Sequence, residues 1–407
     1  MSPERERGQS PPVCATPGLT IVYFANDWAA ENRTSSHHIA ERLSRWQPLL
    51  YVSSPGMRAP QASGRDLRKI GRLLAALLRP PIKVRDGLWR CTIPQLPFRR
   101  IPGVVTLNRW FARLALRRAL ARMGAREVLL WFAVPHPEFL VGHLGERMVV
   151  YYCIDDYAAH PGVDNALLRA CDAALTRRAD RVFVAPPALL EAKRVVNAST
   201  MFSPHGVDAE LFGRAMLAAT PIPAAARALP PPIIGFFGSL AAWIDVPLLA
   251  QLARERPQYT LLLIGHVSTD VSELQSLANV RLVGAQPYDT LPNWAKSFDV
   301  AIIPYRQNQQ VQNANPLKLR EYLATGKPVV STFNPEVARF GELVRLAVDA
   351  ESFILAVDAA VAERDSVAQQ ARLAAVRGAT WDARVNEVIG VVSADLQRLA
   401  QQRNASR

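Results

Sequence analysis

The chain has 407 residues, 49% of them hydrophobic and 20% charged, with a formal net charge of +13. That length suits two domains with separate cores, and the composition is that of a globular protein. No stretch reaches the ~18 uninterrupted apolar residues of a membrane span. The charge is uneven: residues 1–200 hold 29 Lys and Arg against 16 Asp and Glu, whereas residues 201–407 hold 19 of each. Such asymmetry points to an anionic partner of the first half. Cys14, Cys91, Cys153 and Cys171 lack metal or redox spacing and read as reduced thiols of a cytoplasmic protein.

Residues 1–17 lack an apolar h-region and are expected to be a disordered lead-in rather than a signal peptide. Leu19–Phe24 reads as a strand, and Ser35 or Ser36 can cap a helix running to Leu43. Pro48–Val52 is the next strand. Arg58–Arg126 then holds 17 basic residues against Asp66 and Asp86. Two helices are expected there. Arg65–Arg79 mixes Arg and Lys with leucines. Arg109–Arg126 sets Arg109, Arg113 and Arg117 on one face, with Trp110 and Phe111 elsewhere on the barrel. Basic amphipathic helices with aromatic residues fit an anionic membrane surface. Nucleic acid is not expected, because no nucleic-acid fold signature accompanies the charge.

Strands follow at Val128–Val134, Met148–Ile154 and Arg181–Ala185, with helices at Val163–Arg178 and Pro187–Val195. Residues 218–232 hold five prolines and no acid, the composition of a semi-rigid linker. The alternation then restarts with strands at Ile233–Phe237, Tyr259–Ile264, Val280–Leu282, Val300–Ile303 and from Val329. A helix is expected from Trp381 to Ala405. This repetition predicts an α/β protein with two doubly wound, Rossmann-like domains, residues 18–217 and 233–380, facing across a cleft. Residues 381–407 would cross back to the first. Ligands of such sheets bind beyond the carboxyl ends of the strands, so the residues that follow strands are the candidates.

Gly238-Ser239 after Ile233–Phe237 is either a phosphate-approaching turn or a plain tight turn. Tyr305 leads into an amide-rich loop that contains Asn313 and suits hydroxyl groups. Lys318 and Glu321, three apart near a helix start, are either a surface ion pair or an anion site. Gly326 ends that helix. Asp155-Asp156 follows a very apolar strand, where carboxylates are costly unless paired or used, so one of them is a candidate base. His136, after Val128–Val134, faces the same cleft edge or is structural.

These residues resemble glycosyltransferases of the GT-B fold. Ala179–Ala185, Ser203–Asp208, Ile234–Leu240, Leu261–Gly265, Val280–Gly284, Asp299–Tyr305 and Lys318–Val330 are similar to that family's motifs and follow in its order. Bacterial exopolysaccharide and teichuronic-acid transferases and the glucuronosyltransferase of xanthan synthesis are among the likenesses. The resemblance implies transfer from a nucleoside diphosphate sugar, UDP-linked by preference, to a lipid-linked saccharide in surface polysaccharide synthesis. It implies that Glu321 holds the ribose. Lys318 and the Gly238-Ser239 turn would hold the diphosphate, so neither metal nor cofactor is expected. Asp155 aligns with an Asp thought to be the base of an inverting displacement. The loop from Asn26-Asp27-Trp28 to Ser35-Ser36-His37-His38 would line the acceptor side. The chain departs from the pattern at Asn313, where retaining members carry Glu, after the glycine turn, where their basic residue is missing and the stretch runs to Asp245, and at His205, where Asn is usual. The expected location is the cytoplasmic face of the plasma membrane. The alternatives are a sugar-nucleotide epimerase of this fold and a non-catalytic peripheral-membrane or nucleic-acid-binding protein.

Overall fold

The computed structural model describes residues 16–29, 33–54, 80–93, 101–160 and 162–405. The expected basic helix over residues 65–79 and nearly all of the lead-in lie outside them. Two sheets carry the fold. The first contains β1 (Leu19–Ala25), β2 (Leu49–Ser53), β3 (Ile82–Arg85), β4 (Leu88–Thr92), β5 (Glu127–Phe132), β6 (Glu146–Cys153), β7 (Arg181–Val184) and β8 (Thr200–Phe202). Their order is β3-β4-β2-β1-β5-β6-β7-β8, and every pairing is parallel except β3 with β4. The central strands are continuous apolar runs because both faces are covered; every residue of β1 and β2 is buried.

The second sheet contains β9 (Ile233–Phe237), β10 (Thr260–Ile264), β11 (Val280–Gly284), β12 (Val300–Ile303), β13 (Val329–Thr332) and β14 (Arg345–Ala347). All its pairings are parallel, in the order β11-β10-β9-β12-β13-β14. The chain reverses its direction of strand addition between β9 and β12, which opens a crevice at their carboxyl ends. In the first sheet the same reversal falls between β1 and β5.

Helix α1 (Ser35–Trp46) covers one face of the first sheet, and α2 (Val104–Arg122) and α3 (Asn165–Arg178) cover the other. In the second lobe, α4 (Leu317–Ala324) starts at the crevice. The last helix, α5 (Trp381–Ala405), returns to the first lobe, where Trp381, Val385, Val388, Ile389, Val392 and Leu396 join the core around β1. Asp395 on α5 accepts both arms of the Arg181 guanidinium, at 2.7 and 2.9 Å. Such bidentate pairs are the directional kind.

Two expectations are corrected. The basic helix of residues 109–126 runs instead from Val104 to Arg122. Its Arg109–Arg113–Arg117 row is no open basic face: Arg109 Nε donates to the Phe139 carbonyl at 3.0 Å, and Arg113 is half-buried. The outward face carries Leu107, Trp110, Arg117, Arg118 and Arg122 instead. The β3–β4 hairpin was not expected. All four residues of β3 are exposed, so no apolar run announces an edge strand within the basic segment.

Candidate active site

The strand ends of both sheets face each other across a cavity of about 420 Å³. On the second-lobe side, Gly238 and Gly265 follow β9 and β10 with φ of +145° and +152°. A Cβ on Gly265 would stand 1.8 Å from the Gly238 carbonyl oxygen, and one on Gly238 would stand 2.8 Å from Lys318 Cε. Only glycine allows this approach, which brings the Gly238-Ser239 backbone and the Lys318 side chain to one point. Lys318 sits in the first turn of α4, where free N–H groups and the helix dipole favour an anion. Its Nζ lies 3.0 Å from Glu321 Oε2 and 5.4 Å from the centre of the Phe237 ring.

Glu321 is buried behind Lys318, and its other oxygen accepts the Tyr288 hydroxyl at 3.3 Å. Burial, reinforced by the Glu321 charge, pushes the Tyr288 phenol pKa up, so Tyr288 stays a donor. The α4 start is braced from below: Arg320 donates to Asn315 Oδ1 at 2.6 Å and to Glu336 at 2.7 Å, and Asn315 Nδ2 reaches the Ala185 carbonyl of the first lobe at 2.9 Å. Tyr305, half-buried after β12, lines the cavity, and desolvation likewise raises its phenol pKa.

On the first-lobe side, the apolar strand β6 delivers Asp155 to the cavity wall. The adjacent carboxylates part company. Asp156 accepts the Asn313 amide across the cleft at 2.9 Å. Asp155 Oδ1 accepts the Asp156 N–H at 2.8 Å, and its Oδ2 accepts from His160 Nε2 at 2.8 Å. Burial lowers the His160 pKa, but the hydrogen bond and charge of Asp155, then the charge of Asp156, outweigh it and raise the pKa above its ordinary value. Asn313, expected to face the sugar, is instead engaged at both ends, since its Oδ1 accepts from Gln309 at 3.1 Å. A Glu at 313 would face the Asp156 carboxylate.

The acceptor-side expectation is corrected in placement. Ser36, His37, His38 and His136 are all buried and off the cavity wall. Ser36, His37 and His38 in the first turn of α1 point inward, and α5 packs over His38. His37 closes the helix start by bonding the Thr34 backbone at 3.1 Å. His38 stacks on Trp381, with ring centres 4.9 Å apart and planes 4° apart. His136 meets Ser54 Oγ at 2.6 Å. Asp27 is exposed and accepts the Ala29 N–H at 3.1 Å. The same loop instead presents Asn26, Arg33, Thr34 and Ser35 to the cavity. Asn26 and Ser35 belong to the stretch expected there, whereas Arg33 and Thr34 were not singled out, and nothing in a lone sequence sets which residues of the α1 start face the cavity. His160 was missed as well, although it lies only five residues beyond Asp155. Among the described residues, no group of three or more His, Cys, Asp or Glu side chains is placed to hold a metal ion.

Residues 231–363 match the family model described as glycosyl transferases group 1. A putative teichuronic acid biosynthesis glycosyltransferase of Bacillus subtilis, TuaH, is 26% identical, over 68% of this chain and 80% of that one. Among solved structures, sucrose-phosphate synthase of Thermosynechococcus elongatus superposes with a TM-score of 0.67 at 16% identity, covering 96% of this chain and 100% of that one. Anabaena HepE, solved with UDP and glucose, gives 0.62 at 15% identity, covering 92% and 99%. The two open, largely parallel sheets and the crevice between them are the GT-B fold, and the second lobe carries the match to the group 1 glycosyl transferases.

Proposed function

We propose that this glycosyltransferase moves a sugar from a nucleoside diphosphate sugar, UDP-linked by preference, to a lipid-linked saccharide during cell-envelope polysaccharide synthesis. The observation that carries the donor reading is the Lys318–Glu321 pair at the start of α4, set against Gly238 and Gly265 at the reversal point of the second sheet. Lys318 and the α4 amides face the diphosphate and stabilise the charge that develops on it as the glycosidic bond breaks. That cation does the neutralising, so the transfer needs no metal and no cofactor. Glu321, oriented by Tyr288, accepts the ribose hydroxyls. Tyr305 and the Ser239 turn complete the donor wall.

Across the cavity, Asp155 is the carboxylate that receives the acceptor proton. The acceptor enters past Asn26 and Arg33–Ser35. The polysaccharide context comes from the likeness to TuaH. An acceptor of this kind lies at a membrane. No helix among the described residues is long and apolar enough to cross one, so we place the enzyme peripherally at the cytoplasmic face. The outward face of α2 supports that placement: Leu107 and Trp110, with nearby Ile101, are exposed beside Arg117, Arg118 and Arg122. Apolar and cationic groups together suit an anionic leaflet.

The donor reading is tested by calorimetric titration with UDP- and GDP-sugars in EDTA. Saturable binding that Lys318→Ala weakens supports it, and no binding by any of them overturns it. Flotation with vesicles containing or lacking anionic lipid tests the placement, and equal recovery from both would remove it.

A further inference from the structure

We infer that His160 is the positioning residue of the transfer step: its Nε2–H holds the Asp155 carboxylate against the cavity, and its own charge sets how strong a base that carboxylate is. The inference rests on the reading of Asp155 as the proton acceptor and adds the group that controls it.

The local chain explains the geometry. After β6, residues Tyr157–Ala159 make one tight helical turn, which brings His160 back over Asp155. The ring stacks on Tyr157, with centres 5.9 Å apart and planes 23° apart. Its Nε2 lies 2.8 Å from Asp155 Oδ2, and both side chains line the cavity, 27% and 33% exposed. An ionised carboxylate only accepts, so Nε2 carries the hydrogen. Asp156 is turned away to Asn313. One carboxylate of the adjacent pair therefore bridges the lobes, while its neighbour is held by an imidazole.

In the transfer step the acceptor O–H proton passes to an Asp155 oxygen. The acceptor oxygen forms its bond to the anomeric carbon. The bond from that carbon to the diphosphate breaks, with the electron pair leaving on the diphosphate beside Lys318. With His160 neutral, Asp155 holds one uncharged donor and keeps its basicity. With His160 protonated, Asp155 is ion-paired and is a weaker base. The rate therefore rises with pH as His160 loses its proton, and Asp155 and Asp156 hold that change above pH 6.5. The other titratable or charged groups around the cavity are Arg33 before α1, His205 at the lobe crossover, Tyr157, Tyr288, Tyr305, Lys318 and Glu321. The His205 pKa is pushed down to about 3 by burial, and the three phenol pKa values are raised. None of these four titrates in the same range.

The test uses the full chain and two readouts. The first is UDP release from UDP-glucose between pH 5.5 and 9, with water standing in for the acceptor hydroxyl. Wild type should slow as pH falls through the His160 midpoint, by at most about tenfold per pH unit. His160→Gln keeps an N–H donor without the charge and should lose that limb. The second readout, independent of turnover, is the histidine side-chain NMR titration. The midpoint lost in His160→Gln should lie above 6.5 in wild type and fall in Asp155→Asn. An unchanged pH limb in His160→Gln, or a midpoint indifferent to Asp155→Asn, overturns this inference alone. Unchanged UDP release by Asp155→Asn overturns the reading of Asp155 beneath it.

Discussion

Replacing His205 by Asn should flatten the acid limb of stability. His205 is buried where the chain crosses between lobes, with Nδ1 3.1 Å from Ser35 Oγ and its ring 6.0 Å from that of Trp381. Burial, aided by the Arg320 charge, pushes its pKa down to about 3 in the fold, against an Asp155 charge that pulls the other way. In the unfolded chain the value is about 6.5. The unfolded state therefore binds the proton first, so the stability is fully present above pH 6.5 and is lost as pH falls toward 3. At about 1.4 kcal/mol per pH unit, the 1.5 units between 6.5 and pH 5 amount to roughly 2 kcal/mol. Asn can still bond Ser35 but cannot take a proton in this range. Urea unfolding of both proteins at pH 7.5 and pH 5 gives a double difference in which the other groups cancel. The loss on acidification should be about 2 kcal/mol smaller in His205→Asn. Equal losses in the two proteins would refute the argument.

Two further predictions concern the donor wall. Lys318→Ala should weaken binding of a nucleoside diphosphate sugar by ~1.5–3 kcal/mol, the range of a charge-assisted bond. Titration would read that as roughly 10- to 150-fold in Kd, and wild-type affinity would remove Lys318 from the site. Gly265→Ala should destabilise the second lobe by ~3 kcal/mol or more, because its Cβ meets the Gly238 carbonyl at 1.8 Å and φ is +152°. A denaturation midpoint within error of wild type would contradict that geometry.

Much of the fold was legible because its strands are two-sided apolar runs. Ile233–Phe237 and Val300–Ile303 have the limits read from the sequence, as does the Trp381–Ala405 helix. Legibility failed where burial is one-sided or absent. Ile82–Arg85 is an exposed edge strand, and Arg345–Ala347 is only three residues long. In the site, the glycine turn and the Lys318–Glu321 spacing are local features and were readable. Asn313 was not, because its partner Asp156 lies 157 residues away. His37 and His38 misled for a related reason: a polar side chain near a helix start does not say which way the helix faces, and here α5 closes over it.

Asp155→Asn tests the central claim most directly, with donor affinity and sugar transfer measured on the same preparation. Asp155 lies on the first-lobe wall, opposite the donor groups, and Asn can still accept the His160 N–H. The account predicts unchanged binding of the UDP-sugar with transfer abolished or nearly so. Transfer at the wild-type rate with donor binding intact would contradict it.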